Sequence, residues 1–176
     1  MNDRSPSLRS GSALKTPTDL KAEGVKSIGT ALNVIVADAF ALYLKTKNFH
    51  WHLSGPNFRD FHKMLDEQGQ QIYDSIDPLA ERVRKLGGAT IKSISHISKL
   101  QTLTDNNEDF VSPLDMLKEL MADNGKVAEA MRKAHKVCDD NEDVATASLL
   151  EVYIDETEQR IWFLFESSRS ADATGH

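Results

Sequence analysis

Six side chains in the first half of the chain carry ligand chemistry: His50, His52, His62, Asp66, Asp77 and Glu81. Imidazole nitrogens and carboxylate oxygens without thiolates suit hard and borderline divalent ions. His62 and Asp66 are four residues apart, as are Asp77 and Glu81, so on a helix each pair presents two donors from adjacent turns of one face. Asp66 and Asp77 are eleven residues apart, close to three full turns. That keeps both pairs on one stripe but separates them by ~16 Å at ~1.5 Å of rise per residue. Donors hold a metal at roughly 2.0–2.2 Å, so one ion cannot touch both pairs. Either the pairs form separate weak sites, or they complete each other between subunits. Two copies packed with these helices antiparallel about a two-fold axis would set His62 and Asp66 of one chain opposite Asp77 and Glu81 of the other, twice. Such a set leaves positions open for water, dioxygen or peroxide, which suits oxidation of Fe(II) to Fe(III), although zinc or manganese would also bind. The bland alternative for one pair alone is a solvated helix face, where such pairs contribute roughly a few tenths of a kcal/mol. Asp77 stands directly before Pro78, which removes a helical hydrogen bond and disfavours helical geometry at Asp77, so a kink is expected at this donor.

The elements that must position these residues are helices. Ile28, Leu32, Ile35, Ala39 and Leu42 draw one apolar stripe along a helix of about residues 19–53, ended by Ser54-Gly55-Pro56. Phe61, Leu65, Ile72, Ile76, Leu79, Val83 and Leu86 draw a second, stopped by Gly87-Gly88. A third runs through Leu117, Leu120, Val127, Met131, Ala134 and Cys138, with Ser112 as N-cap and Pro113 at the first helical position. A fourth, from Ala147 to Leu164, follows the acidic break Asp139-Asp140-Asn141-Glu142-Asp143. The two short breaks imply antiparallel neighbours, whereas residues 87–111 form one long link whose 93–100 part reads as a short helix. An all-α four-helix bundle with one long crossover carrying a short helix is the ferritin-like architecture. We assign residues 1–18 to a flexible N-terminal tail, 19–168 to the bundle and 169–176 to a C-terminal tail.

Composition narrows the function classes. A chain of 176 residues suits one well-buried domain. The first residues contain no apolar signal region and no stretch reads as a membrane span, so a cytoplasmic protein without a membrane partner is expected. Cys138 is the only cysteine, which excludes an internal disulfide and a thiolate metal knuckle. A net charge of −6 argues against a body that coats nucleic acid and suits cations instead.

The segment His50-Trp51-His52-Leu53-Ser54-Gly55-Pro56-Asn57-Phe58, followed by His62, Asp66, Asp77, Ala80-Glu81-Arg82 and Leu86-Gly87-Gly88, resembles the Dps family, DNA-binding proteins from starved cells. Weaker similarity extends to Trp162-Phe163, so the resemblance covers about residues 20–168. The Glu-x-x-His pair of a larger ferritin's intrachain di-iron centre is absent, which favours a mini-ferritin over a bacterioferritin. The resemblance implies a hollow dodecamer with ferroxidase sites at its two-fold interfaces, formed by His50, His62 and Asp66 of one subunit with Asp77 and Glu81 of its mate. It implies that Fe(II) is oxidised by hydrogen peroxide or dioxygen and stored inside as ferric mineral, which protects DNA from oxidative damage. His52 lies outside the core motif. Trp51 reads as interface packing or as a redox participant beside the site.

The remaining candidates have plainer readings. The acidic break is a solvated loop or, as the resemblance implies, the lining of a pore that attracts Fe(II). His96, His135 and His176 read as surface or locally bonded histidines, and Cys138 as a small core residue. DNA binding would rest on the N-terminal tail, where Arg4, Arg9, Lys15, Lys21 and Lys26 stand against Asp3, Asp19 and Glu23. One such tail binds weakly, and twelve on one particle would multiply the contacts and favour association with the nucleoid.

Overall fold

The computed structural model describes residues 14–169, and within them the chain is helical, without a strand. The order is α1 (Ala22–His52), α2 (Phe58–Lys85), α3 (Ile94–Leu100), α4 (Pro113–Asp139) and α5 (Val144–Ser168). α1 pairs with α2 and α4 with α5; α1 also packs on α4, while the short α3 lies against α1. All four apolar stripes face one core, in which Ile28, Leu32, Leu65, Leu79, Leu117, Leu120, Leu150 and Leu164 are fully buried. By length and composition alone α1 could cross a membrane, contrary to the reading of the sequence. Its apolar face is instead occupied by the other helices of the bundle, with Ile35, Leu42 and Phe49 buried against them.

Helix ends follow local chemistry. The Ser112 hydroxyl accepts the Asp115 N–H at 3.3 Å and Pro113 opens α4, as N-cap and N1 preferences require. α2 ends in a Schellman closure: Gly88 N–H donates to Val83 C=O and Gly87 N–H to Arg84 C=O, both at 3.0 Å. Gly87 has φ +87°, and a Cβ there would also meet the Thr16 carbonyl at 3.0 Å. Residues of the expected N-terminal tail cross this helix end: the Thr16 hydroxyl donates to Arg84 C=O at 2.9 Å and the Arg84 guanidinium to Leu14 C=O at 2.7 Å. Residues 1–13 lie outside the described residues.

The expected kink does not interrupt α2, which continues through Pro78. A proline inside a helix costs about 3 kcal/mol. Ile72, Ile76, Leu79 and Val83, buried on both sides of it, together contribute more than that at about 1.5–3 kcal/mol each.

Buried charges bind the long crossover to the bundle. Asp38 of α1, 1 % exposed, accepts from the Thr102 N–H and hydroxyl at 2.5 and 2.8 Å and from the Leu103 N–H at 3.2 Å. The Lys45 ammonium donates to Thr104 C=O and Asp123 at 2.6 Å and lies 2.8 Å from Glu119. An uncompensated buried charge is costly, so each of these groups ties its element to the others. At the α4–α5 turn the acidic break is not uniformly solvated: Asp143 is buried, caps α5 through the Thr146 N–H and pairs with Arg82 at 2.6 Å. Glu142 takes the left-handed position of this turn, at φ 62°.

Two experiments check this framework. Asp38→Ala strands the buried Leu103 N–H and frees the partly buried Thr102 N–H, so a loss of about 1–3 kcal/mol is expected in denaturant unfolding. Burial pushes the Cys138 thiol up to about 12, which leaves about one thiolate in ten thousand at pH 8. Folded protein should therefore resist alkylation at that pH, and Cys138 should react only on unfolding.

Candidate metal centre

His50 ends α1 and His62 begins the second turn of α2, and the short Leu53–Asn57 turn brings the two helix ends together. That turn closes through Gly55, at φ +105°, whose carbonyl accepts the Phe58 N–H at 3.1 Å. The two histidines lock each other. His50 Nδ1 lies 2.8 Å from His62 C=O, His62 Nδ1 lies 3.0 Å from His50 C=O, and the rings stack at 3.7 Å with 20° between planes. A carbonyl only accepts, so each Nδ1 carries the hydrogen, and Nε2 is the nitrogen left to offer a lone pair when the ring binds a metal. This is the tautomer a metal ligand requires, fixed by the second-nitrogen bond that typically orients ligating histidines. Phe58 stacks on His62 at 5.0 Å and limits its rotation.

Asp66 stands one turn further along α2, with Oδ1 3.9 Å from His50 Nε2. Two donors on one ion can be at most about 4.3 Å apart at roughly 2.0–2.2 Å each, so a single ion can span them. Lys47 of α1 reaches the same oxygen at 2.6 Å. Its hydrogen bond and its charge hold the Asp66 carboxyl below the usual carboxylate range.

The other candidates lie elsewhere. Asp77 is exposed beside Phe40, Tyr73, Ile76 and Ile91 in a groove of about 710 Å³, and Glu81 is exposed with its oxygen 3.3 Å from Lys85. They do not join His50, His62 and Asp66 within one chain, and among the described residues no three His, Cys, Asp or Glu side chains converge to hold an ion. His52 is exposed and bonds Asn48 C=O on its own helix at 2.8 Å. Trp51, Leu44, Tyr73 and Phe58 are large apolar side chains left exposed on α1 and α2. His135 lies between Asp139 at 3.1 Å and Glu151 at 3.0 Å, a bridge from α4 to α5. Lys47 is the site residue the sequence reading passed over, because a lysine one turn before His50 has no partner until α1 and α2 are packed.

The matches to known proteins bear on the fold and the family. The family model for the ferritin-like domain matches residues 29–167, so the fold is that of a ferritin-like protein. A DNA protection during starvation protein of Agrobacterium fabrum is 33% identical over 150 residues, covering 85% of this chain and 93% of that one. An uncharacterised low temperature-induced protein of Nostoc is 34% identical over 148 residues, 84% of this chain and 81% of that one. The Dps of Thermosynechococcus elongatus superposes with a TM-score of 0.82 at 28% identity, covering 86% of this chain and 96% of that structure. The chain belongs to the Dps family within the ferritin-like proteins.

The Asp66 shift carries a pH dependence. A carboxyl depressed in the folded state contributes stability that is present above its ordinary value and lost as pH falls through the lowered one. Lys47→Met removes the cause, so its melting temperature should lie below wild type near neutrality and converge on it as pH drops below the ordinary carboxylate range. Asp66 is 61% exposed, so the gap is small; scanning calorimetry at stepped pH measures it.

Proposed function

We propose that two copies of this chain complete each other's metal centre and that the assembled protein is a ferroxidase and iron store. The observation that carries this reading is the division of the donors. His50 and His62 are locked with Nε2 available beside Asp66, while Asp77 and Glu81 lie exposed and apart on the same helix. A second copy packed against α1 and α2, which leave Trp51, Leu44, Tyr73 and Phe58 exposed, supplies Asp77 and Glu81 to the first, and receives them in turn. The hollow dodecamer of the family repeats this interface.

Fe(II) is the substrate. Neutral imidazoles and carboxylates bind it with positions left open for the oxidant, and the added anionic donors favour the Fe(III) product. Each Fe(II) gives up one electron. Two oxidations therefore reduce one hydrogen peroxide to two water molecules with uptake of two protons, and four reduce one dioxygen to two waters with uptake of four. Supplying electrons in pairs avoids the one-electron product of peroxide, hydroxyl radical, and this is how oxidation and storage protect DNA. Trp51, exposed at the end of α1 next to His50, is placed to pack at the interface or to intercept a stray electron hole.

Asp77→Ala with Glu81→Ala, in an intact oligomer, should slow Fe(II) oxidation at least about 10–100-fold; an unchanged rate would refute the ligand assignment. Sharing has its own test. His62→Ala with Asp66→Ala should be equally inactive, yet equal amounts of the two dead variants, unfolded and reassembled together, should recover about a quarter of the sites, because a mixed pair holds one complete site and one doubly damaged one. No recovery in mixed oligomers would show that the donors are not shared.

DNA contact is a second activity, which the name DNA protection during starvation protein, borne by the Agrobacterium relative, supports. Its basic residues Arg4 and Arg9 lie outside the described residues, and Lys15 follows Leu14, whose carbonyl Arg84 holds. A DNA mobility shift that appears only at low salt and vanishes on removal of residues 1–13 is expected; a shift that survives the truncation would place binding on the bundle instead.

A further inference from the structure

Away from the ends of α1 and α2, one histidine has a carboxylate against each of its ring nitrogens. His135 Nδ1 lies 3.1 Å from Asp139, one turn later on α4, and Nε2 lies 3.0 Å from Glu151 Oε1 of α5. A neutral imidazole has a single N–H, so only one of these contacts is then a hydrogen bond. The other sets a nitrogen lone pair against an oxygen lone pair, and a cation between the two atoms, a second proton or a metal ion, relieves that clash. The spacing suits a metal: two donors at roughly 2.0–2.2 Å from one ion and about 90° apart lie about 3.0 Å from each other. Asp139 then holds the Nδ1 hydrogen, which gives the carboxylate–histidine–metal arrangement that orients a ligating ring.

Both donors open onto a groove of about 320 Å³ between α4 and α5, lined also by Arg132, Ile154, Asp155 and Glu158. Arg132 is taken up by its ion pair with Glu158. Asp155, exposed one turn after Glu151 on the same helix, has no ion pair among the described residues, so one carboxylate remains for a third bond. The four carboxylates around the ring outweigh the one guanidinium by three negative charges. A proton on Nε2 offsets one of them and a divalent ion two. We propose that His135 Nε2 and Glu151, completed by Asp155 and water, form an accessory site for a divalent transition-metal ion. One imidazole among carboxylates, with positions left for water, suits Fe(II), Co(II), Ni(II) or Zn(II), whereas Mg(II) and Ca(II) take oxygen donors. The two placed donors come from different helices of one chain, so the ion also joins α4 to α5 and needs no second copy.

The test is equilibrium dialysis of the full-length protein against Co(II), with bound metal counted by elemental analysis. The Asp77→Ala, Glu81→Ala protein serves as the parent, which lowers uptake at the centre described above, and light scattering verifies that assembly is the same in every variant. Adding His135→Gln or Glu151→Gln should each remove one Co(II) per subunit. Neither side chain is buried, so both variants should fold, and each checks the other. Asp139→Asn leaves both donors in place but loosens the ring, so it should keep the ion and weaken its binding about 10–100-fold. Equal Co(II) in the parent, His135→Gln and Glu151→Gln would overturn the proposal and leave a second proton as the cation between Nε2 and Glu151. Loss of the ion in Glu151→Gln but not in His135→Gln would overturn it too, because carboxylates alone would then hold the metal.

Discussion

A helix is a rigid ruler, and the function proposed for this chain depends on that rigidity. α2 carries His62 and Asp66 near one end and Asp77 and Glu81 near the other, and at ~1.5 Å per residue no bend tolerated by a packed helix closes the gap between them. Gly69 between the pairs and Pro78 directly after Asp77 are residues at which the helix could have bent. Leu65, Ile72, Ile76, Leu79 and Val83, buried around them, keep α2 continuous, so the constraint holds. Donors that cannot meet within a chain can meet only across an interface, and the apolar residues left uncovered on α1 and α2 lie on the helices that carry them.

The rest of the molecule keeps the ends of α1 and α2 where the site needs them. The His50–His62 exchange of ring and carbonyl bonds ties the helix ends directly. Asp38 and Lys45 fasten the other face of α1 to the crossover and to α4 with charged groups that have nowhere else to go. Because leaving a buried charge unpaired costs several kcal/mol, these contacts resist rotation of α1, and rotation is the motion that would swing His50 and Lys47 away from Asp66. Metal geometry tolerates errors of only a few tenths of an ångström, so this stiffness far from the ligands is part of the site.

Much of this was legible beforehand because it is periodic. The four apolar stripes, the Ser112-Pro113 start and the Gly87-Gly88 stop arise from local rules that hold whatever the partner element is, and each is found where expected. Helix periodicity also places donors at i and i+4 on one face without any tertiary information. The misses share a different character. Asp143 sits in a run of acids and looks solvated, yet it is buried because Arg82, sixty-one residues earlier, reaches it. α1 looks apolar enough for a membrane because helices buried on several sides and helices in lipid satisfy the same composition.

By itself, then, the sequence determined which residues share a helix face, where helices stop, and that the two donor pairs on α2 cannot serve one ion. Those are consequences of backbone geometry along a continuous stretch. Only the tertiary structure decided that His50 and His62 fix each other's tautomers, that Asp38 and Lys45 anchor the crossover, and that Lys47, seated against Gly69, faces Asp66. Each depends on how α1 lies against its neighbours, and that relation is set by the whole core, with no local signal in the chain to announce it.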